Sequence, residues 1–394
     1  MIKILKKYKK EIMAVIATVF VVVFVGYFGI ARIMALSYTS VPSSREDSKT
    51  PDLKSTAVLS PVFVTTHVAT PEPVRAIYMS SWVAGMLSFR AKLIKIIDDT
   101  EINAVVIDIK DYTGKISFKA EDPALAAIGS AEARIPDIKE FIAMLHKKGI
   151  YVIGRIAVFQ DPFYIKYKPE LAVKKASDKN APWKDFKGIS WIDAGSKDMW
   201  DYIIAIGKQS YAFGFDELNF DYIRFPSDGN MKDIYYPISH DRVKHEVMNE
   251  FFSYIDTALR PTGVKISADL FGMTATNTDD LNIGQVLEDA IPHFDFVAPM
   301  VYPSHFPPTW SGFKNPAEHA REVIEISMGK AVARVKAMGE NPLKLRPWLQ
   351  DFDLGATYTP ERVREEINAT YKVGLTSWML WDSGNTYTVG ALNK

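Results

Sequence analysis

From Val74 onward the chain repeats one pattern. A short run rich in β-branched and aromatic residues ends in polar side chains, and an amphipathic stretch follows it. The runs are Arg75–Trp82, Ala104–Asp111, Tyr151–Phe159, Glu217–Phe225, Lys265–Phe271, Phe296–Tyr302, Arg346–Asp351 and Thr376–Asp382. Helical spacing shows between them, as in Pro136–Lys148, where Ile138, Phe141, Ile142 and Leu145 share a face and Gly149 reads as the stop, or in Arg242–Leu259. Strands that alternate with helices pair in parallel through right-handed crossovers, and eight such units in about 310 residues predict an α/β fold of the (β/α)8 TIM barrel class. An open doubly wound sheet is the alternative. It is disfavoured because no Gly-x-Gly-x-x-Gly turn follows a strand, and because polar residues end nearly every strand rather than two. Only twelve residues follow Asp382, so the eighth helix should be short or missing.

In such a barrel the chemistry belongs at the C-terminal ends of the strands. The second run places Asp108 and Lys110 two apart, on one face, with Asp111 at the exit. The fourth alternates Glu217, Asn219 and Asp221 with Leu218, Phe220 and Tyr222, and the fifth alternates Lys265, Ser267 and Asp269 with apolar residues. The side facing the helices must be apolar, so these polar faces should line the interior. Asp221 and Asp269 then end adjacent strands, about 4.8 Å apart at the backbone, within reach of the carboxyl spacings that glycosidic hydrolysis uses. Arg155 and Arg224 are the cations positioned to pair with Asp221.

Aromatic residues gather at the same end. Trp82, Trp348 and Trp381 end strands, Tyr302 ends another, and Trp183, Trp191 and Trp310 fall in loops. Flat apolar rings beside hydrogen-bonding carboxylates suit a sugar, which has apolar CH faces and polar edges. Other chemistries lack their residues. The chain has no cysteine, which excludes disulfide scaffolds, thiolate metal sites and a cysteine nucleophile. It has no Gly-x-Ser-x-Gly elbow, phosphate-binding loop or His-Glu-x-x-His, and His240 and His245, five apart, make a poor metal pair. No metal or cofactor is called for. With 47 Lys+Arg against 47 Asp+Glu there is no electrostatic case for nucleic acid.

The N-terminus reads as an address. Ile12–Ile30 is uncharged, follows Lys3, Lys6, Lys7, Lys9 and Lys10, and precedes Arg32. As a helix this run spans roughly 28 Å, close to the hydrocarbon thickness of a bilayer. It is longer than the apolar stretch of a cleaved signal peptide, and its basic flank puts the N-terminus in the cytoplasm. The expected organisation is a basic cytoplasmic flank over residues 1–11, a single-pass membrane anchor over 12–34, an extended Ser/Thr/Pro-rich linker over 35–73, and an extracytoplasmic barrel over 74–394.

The stretch Gly214-Phe-Asp-Glu-Leu-Asn-Phe-Asp-Tyr-Ile-Arg-Phe-Pro-Ser-Asp-Gly229 resembles the glycoside hydrolase-like family of bacterial envelope proteins first catalogued as a domain of unknown function. The segments 74–79, 103–111, 298–303 and 378–382 fit that family in the same order, so the resemblance spans about 74–385. It implies a TIM barrel similar to α-amylase-like glycosidases, whose catalytic acids end strands four and five; where amylases usually carry Glu on strand five, this chain has Asp269. The expected activity is hydrolysis of a cell-envelope or extracellular polysaccharide. Asp221 would serve as nucleophile or base and Asp269 as general acid. Asp108 and Lys110 would bind substrate hydroxyls, supported by Glu217 and Asn219. Tyr302, Trp348, Gln350, Trp381 and Asp382 would line subsites, and Arg155 or Arg224 would hold one carboxylate charged. The alternative is a carbohydrate-binding envelope protein that kept the aromatic platform and lost productive geometry.

Overall fold

The computed structural model describes residues 64–394. The basic flank, the proposed anchor over 12–34 and most of the linker lie outside the described residues. None of the described helices is long and apolar enough to cross a membrane.

Eight parallel strands close into a barrel, each hydrogen-bonded to its neighbours in sequence and the last to the first. They are β1 Arg75–Met79, β2 Ala104–Lys110, β3 Tyr151–Ala157, β4 Glu217–Asp221, β5 Lys265–Phe271, β6 Phe296–Met300, β7 Trp348–Gln350 and β8 Trp378–Trp381. The crossover helices are α1 Leu87–Asp99, α2 Ile138–Lys147, α3 Lys197–Phe213, α4 Lys244–Leu259, the single turn α5 Leu287–Ala290, α6 Ala320–Ala337 and α7 Pro360–Lys372. The eighth crossover is reduced to a 3₁₀ turn at Val389–Ala391, as the short C-terminal remainder implied. Closure excludes the open-sheet alternative.

Local chemistry sets the boundaries. In α3 the Ser196 hydroxyl accepts from the Met199 amide at the start, and Gly214 ends the helix at φ 113°, a conformation glycine adopts without strain. Gly149 stops the chain after α2 in the same way. Along α2, Ile138, Phe141, Ile142 and Leu145 are buried against the barrel. The strands' outward residues, such as Ile107, Val152, Leu218, Phe220 and Leu270, join the helices in one large apolar layer, while Ala76, Val106, Ile153, Ala298 and Met379 pack separately inside the barrel.

Several strands end earlier than their sequence runs. β4 stops at Asp221 rather than Phe225, and β1 at Met79, after which Trp82 falls in a short helix, Ser81–Gly85, and is 55% exposed. Lys265, expected inside, stands exposed at the entrance of β5 and pairs with Asp295 at 2.9 Å. An inward ammonium there would have no solvent, whereas the strand's first residue still reaches water.

Residues 64–73, read as linker, lie along the N-terminal side of the barrel. The Thr65 hydroxyl donates to the Ala212 carbonyl at 2.8 Å, the Val68 amide to Asp216 at 2.7 Å, and the Thr70 hydroxyl to the Tyr151 hydroxyl at 3.1 Å. On the opposite side, a two-residue antiparallel ladder joins Lys174–Lys175 in the β3–α3 loop to Ile234–Tyr235 in the β4–α4 loop. It fixes these two loops against each other above the strand ends.

Behind β7, the fully buried Glu366 of α7 accepts from the Gln350 amide at 3.0 Å and from the Tyr358 hydroxyl at 2.7 Å. Burial pushes its carboxyl up to about 8 against those bonds. The folded protein therefore keeps a proton that the unfolded chain releases above its ordinary carboxylate range. Stability from this group is full at acid pH and is lost as pH rises toward 8, by up to about 1.4 kcal/mol per pH unit. A Glu366→Gln variant mimics the neutral acid. Its melting temperature should gain on wild type between pH 5 and pH 8, and a difference independent of pH would refute the assignment.

Candidate active site

The C-terminal mouth of the barrel holds a cavity of about 470 Å³ lined by Arg155, Asp221, Asp269, Tyr302, Trp348 and Trp381 among others. Its floor is built around Arg155 of β3. The strand register sets Arg155 beside Asp108 on one side and Asn219 on the other, and Ala157 beside Asp221. The guanidinium donates through Nη1 to Asp108 Oδ1 at 2.7 Å, through Nε to Asp221 Oδ2 at 3.1 Å, and through Nη2 to the same Asp221 oxygen. Its Nε lies 3.9 Å from Asp269 Oδ2. Burial works against its charge, but Asp221 and Asp108 outweigh burial and hold the guanidinium well above its ordinary range.

The remaining bonds fix each carboxylate. Tyr78 donates to Asp108 Oδ2 at 2.6 Å, so both oxygens of Asp108 are engaged. Asp221 Oδ1 accepts from the Tyr222 amide at 2.6 Å. That contact requires a tight turn after β4, and Tyr222 adopts φ 53°, an uncommon conformation for a bulky residue. Asp269 Oδ1 accepts from Asn219 Nδ2 and from Trp348 Nε1, both at 2.8 Å. Burial first, and then the charge of Asp221, push the Asp269 carboxyl up to about 8, against the opposing pull of Arg155. The result is a neutral acid beside a carboxylate tethered to Arg155.

Aromatic walls rise above this floor. Trp381 stacks on Tyr78 with ring centroids 4.1 Å apart, meets Trp348 edge-on at 5.5 Å, and carries Arg155 5.0 Å from its centroid. Tyr302 and Phe352 pack edge to face across the mouth. At β5 the chain can bend over the cavity because Gly272 has no side chain; a Cβ there would lie 2.2 Å from the Met300 carbonyl oxygen.

Of the residues singled out by sequence, Asp221, Asp269, Arg155, Arg224, Tyr302, Trp348 and Trp381 meet in this cavity. Asp108 and Asn219 do not line it; they bond Arg155 and Asp269 from beneath. Glu217 lies lower, bonded to Arg346 and Tyr151. Lys110 does not face the cavity: the register shifts between Asp108 and Lys110, and the ammonium is fully buried against Asp161 at 2.9 Å and the Ala157 carbonyl. Gln350 is turned to Ser304 and Phe352. Asp382 bonds the Gly384 and Thr386 amides, shaping the turn after β8. Both are scaffolding. Among the tryptophans, Trp183 is buried with its Nε1 on the Asn230 carbonyl, and Trp310 packs on Phe306. Trp191 braces the mouth from behind, edge-on to Tyr222. Sequence reasoning passed over Tyr78, whose inward position follows from its alternation with Ala76 in β1. It also passed over Lys187 and His305, which lie in loops without a period.

Comparisons with known proteins bear on the fold and the family. No curated protein matches the chain. Among solved structures, a hypothetical protein from Ruminiclostridium thermocellum is 36% identical over 49% of this chain and 96% of its own, with TM-score 0.44. The glycoside hydrolase domain of PgaB (BpsB) from Bordetella bronchiseptica is 14% identical over 79% of this chain and 95% of its own, with TM-score 0.58. Alpha-L-fucosidase isoenzyme 2 from Paenibacillus thiaminolyticus is 12% identical over 81% of this chain and 48% of its own, with TM-score 0.51. The last two share the fold. Residues 76–387 match the family model described as "Putative glycosyl hydrolase domain", and the chain belongs to that family.

Proposed function

We propose that the protein is a membrane-anchored, extracytoplasmic glycoside hydrolase that cleaves a cell-envelope or extracellular polysaccharide, with Asp269 as general acid and Asp221 as nucleophile. The observation that carries this reading is the pair of aspartates ending adjacent strands in one aromatic-walled cavity, one held neutral by burial and the other tethered to Arg155. A carboxyl group kept protonated beside a second one held by an arginine is an arrangement that splits acid from nucleophile. Asp221 Oδ2 and Asp269 Oδ2 lie 3.1 and 3.9 Å from one nitrogen, so they are within about 7 Å of each other, which fits the 5 to 5.5 Å of retaining enzymes and only the lower edge of the inverting range. In this mechanism Asp269 protonates the glycosidic oxygen, Asp221 attacks the anomeric carbon, and Asp269 then takes a proton from the water that releases the sugar. Arg155 orients Asp221, while Trp381 and Tyr302 present ring faces to the sugar. The anchor rests on the uncharged run 12–30 and its lysine flank.

The test is reducing-end release from a panel of bacterial cell-wall and capsular glycans by the full chain and by Asp221→Asn. Release by wild type, at least about 10³-fold slower in the variant, with retained anomeric configuration by NMR, is the expected result. Wild-type turnover by the variant sinks the nucleophile assignment, and inversion would make Asp221 the base. Glycan binding by both forms without release would favour the carbohydrate-binding alternative. For the topology, protease added to intact cells should degrade the barrel.

A further inference from the structure

The cavity mouth carries two cations that make no ion pair. Among the described residues, every arginine except Arg224 and Arg362 has a carboxylate within 4.0 Å. Arg362 is on a helix outside the barrel and donates to the Ala317 carbonyl, whereas Arg224 lines the cavity. Its Nη1 is fixed by the Phe225 carbonyl and the Ser227 hydroxyl, both at 3.1 Å. Its Nε and Nη2 have no acceptor among the described residues. The guanidinium lies over two rings, 4.9 Å from the Trp191 centroid and 5.7 Å from that of Tyr222. The nearby acids act on it only from beyond ion-pair distance, and their hydrogen bonds go elsewhere: Asp185 accepts from Trp191 Nε1 at 3.0 Å and Asp228 from the Phe186 amide. Lys187, from the loop braced by the two-residue ladder, lines the same mouth without an ion pair, close enough to His305 to add to the burial that holds its imidazole below the ordinary range.

Neither acid in the cavity makes an ion pair with Arg224 or Lys187: Asp221 faces Arg155, and Asp269 is neutral. A neutral glycan would leave a half-buried, oriented guanidinium without a partner, and a polymer of free amino sugars would meet like charge. Arg224 presents the planar donor edge that matches an oxyanion in two-point fashion, with Lys187 as a second, mobile charge. We propose that the substrate is an anionic glycan whose carboxylate or phosphate, on the sugar at the mouth, is bound by Arg224 and Lys187. This rests on reading the cavity as a glycan site.

Binding and product release are measured together on the full chain with four probes: oligogalacturonate, its methyl ester, a glycerol-phosphate oligomer and a chitosan oligomer. Oligogalacturonate should bind about tenfold or more tightly than its ester, or the glycerol-phosphate oligomer should do so, which identifies the anion as carboxylate or phosphate. That preference should vanish in Arg224→Gln and fall about threefold in Lys187→Gln, whose exposed loop position cannot unfold the barrel. Equal affinity for charged and neutral probes, preference for chitosan, or a preference indifferent to both substitutions overturns the proposal. Product release without charge preference overturns it while leaving hydrolysis standing. Charge-selective binding without release from any probe supports it and counts against hydrolysis.

Discussion

An Asp269→Asn variant is expected to lose about 10³-fold or more in kcat, roughly 4 kcal/mol of transition-state stabilisation, because proton donation to the leaving oxygen disappears. The substitution is nearly isosteric, and its carbonyl oxygen still accepts from Asn219 and Trp348, so folding should survive. Two further readouts separate a lost acid from mere damage. Aryl glycosides with acidic phenol leaving groups, which need little protonation, should be hydrolysed far closer to the wild-type rate. The pH profile should also change. The raised carboxyl keeps its proton through neutrality and loses it as pH passes about 8, so wild-type activity falls on the basic side. The variant has no such proton and should lack that limb. A variant with normal turnover and an unchanged basic limb would remove Asp269 from the mechanism.

Arg155→Leu should have the largest effect on stability. Arg155 is the cation paired with both Asp108 and Asp221, and both are buried. Removing it leaves two buried carboxylates without compensation, a loss of about 3 to 5 kcal/mol, which corresponds to a melting temperature lower by about 4 to 8 °C for a domain of this size. The sign with pH distinguishes this cause from lost packing. Without the guanidinium the two acids resist ionisation, so the penalty is full above their titration range in the folded state. It should shrink as acid protonates them and vanish below the ordinary carboxylate range. A destabilisation of constant size from pH 4 to pH 8 would mean that Arg155 acts through its bulk. Arg155→Lys should recover part of the loss, since an ammonium supplies the charge without the fork that reaches both acids.

The barrel was legible because its signal is repetitive. Eight apolar runs with helical stretches between them admit few topologies, and the polar alternation in Glu217–Asp221 and in Ser267 and Asp269 correctly turned those side chains inward. The same period misled at Lys110, where a register shift after Asp108 breaks the two-residue rule that the assignment relied on. It misled again at Asp382, one residue past the last strand, where the chain turns and the carboxylate is consumed by its own loop. Trp82 fell on a helix for the same reason: strand ends read from composition ran up to four residues long. Lys187 and His305 left no periodic trace. Lys187 reaches the mouth from a loop held by a ladder whose partners are some sixty residues apart in sequence, and His305 from the turn after β6, relations that only folding creates.

The left-handed backbone of Tyr222 has a consequence for how this site can change. Asp221 precedes it and Arg224 follows two residues later, so one dihedral angle aims both the proposed nucleophile and the guanidinium at the rim. A replacement that lets this residue relax would swing the two together. Substitutions at Tyr222 should therefore be strongly non-additive with changes at either neighbour, and reaction rate and substrate preference would be inherited as a single linked trait rather than tuned one at a time.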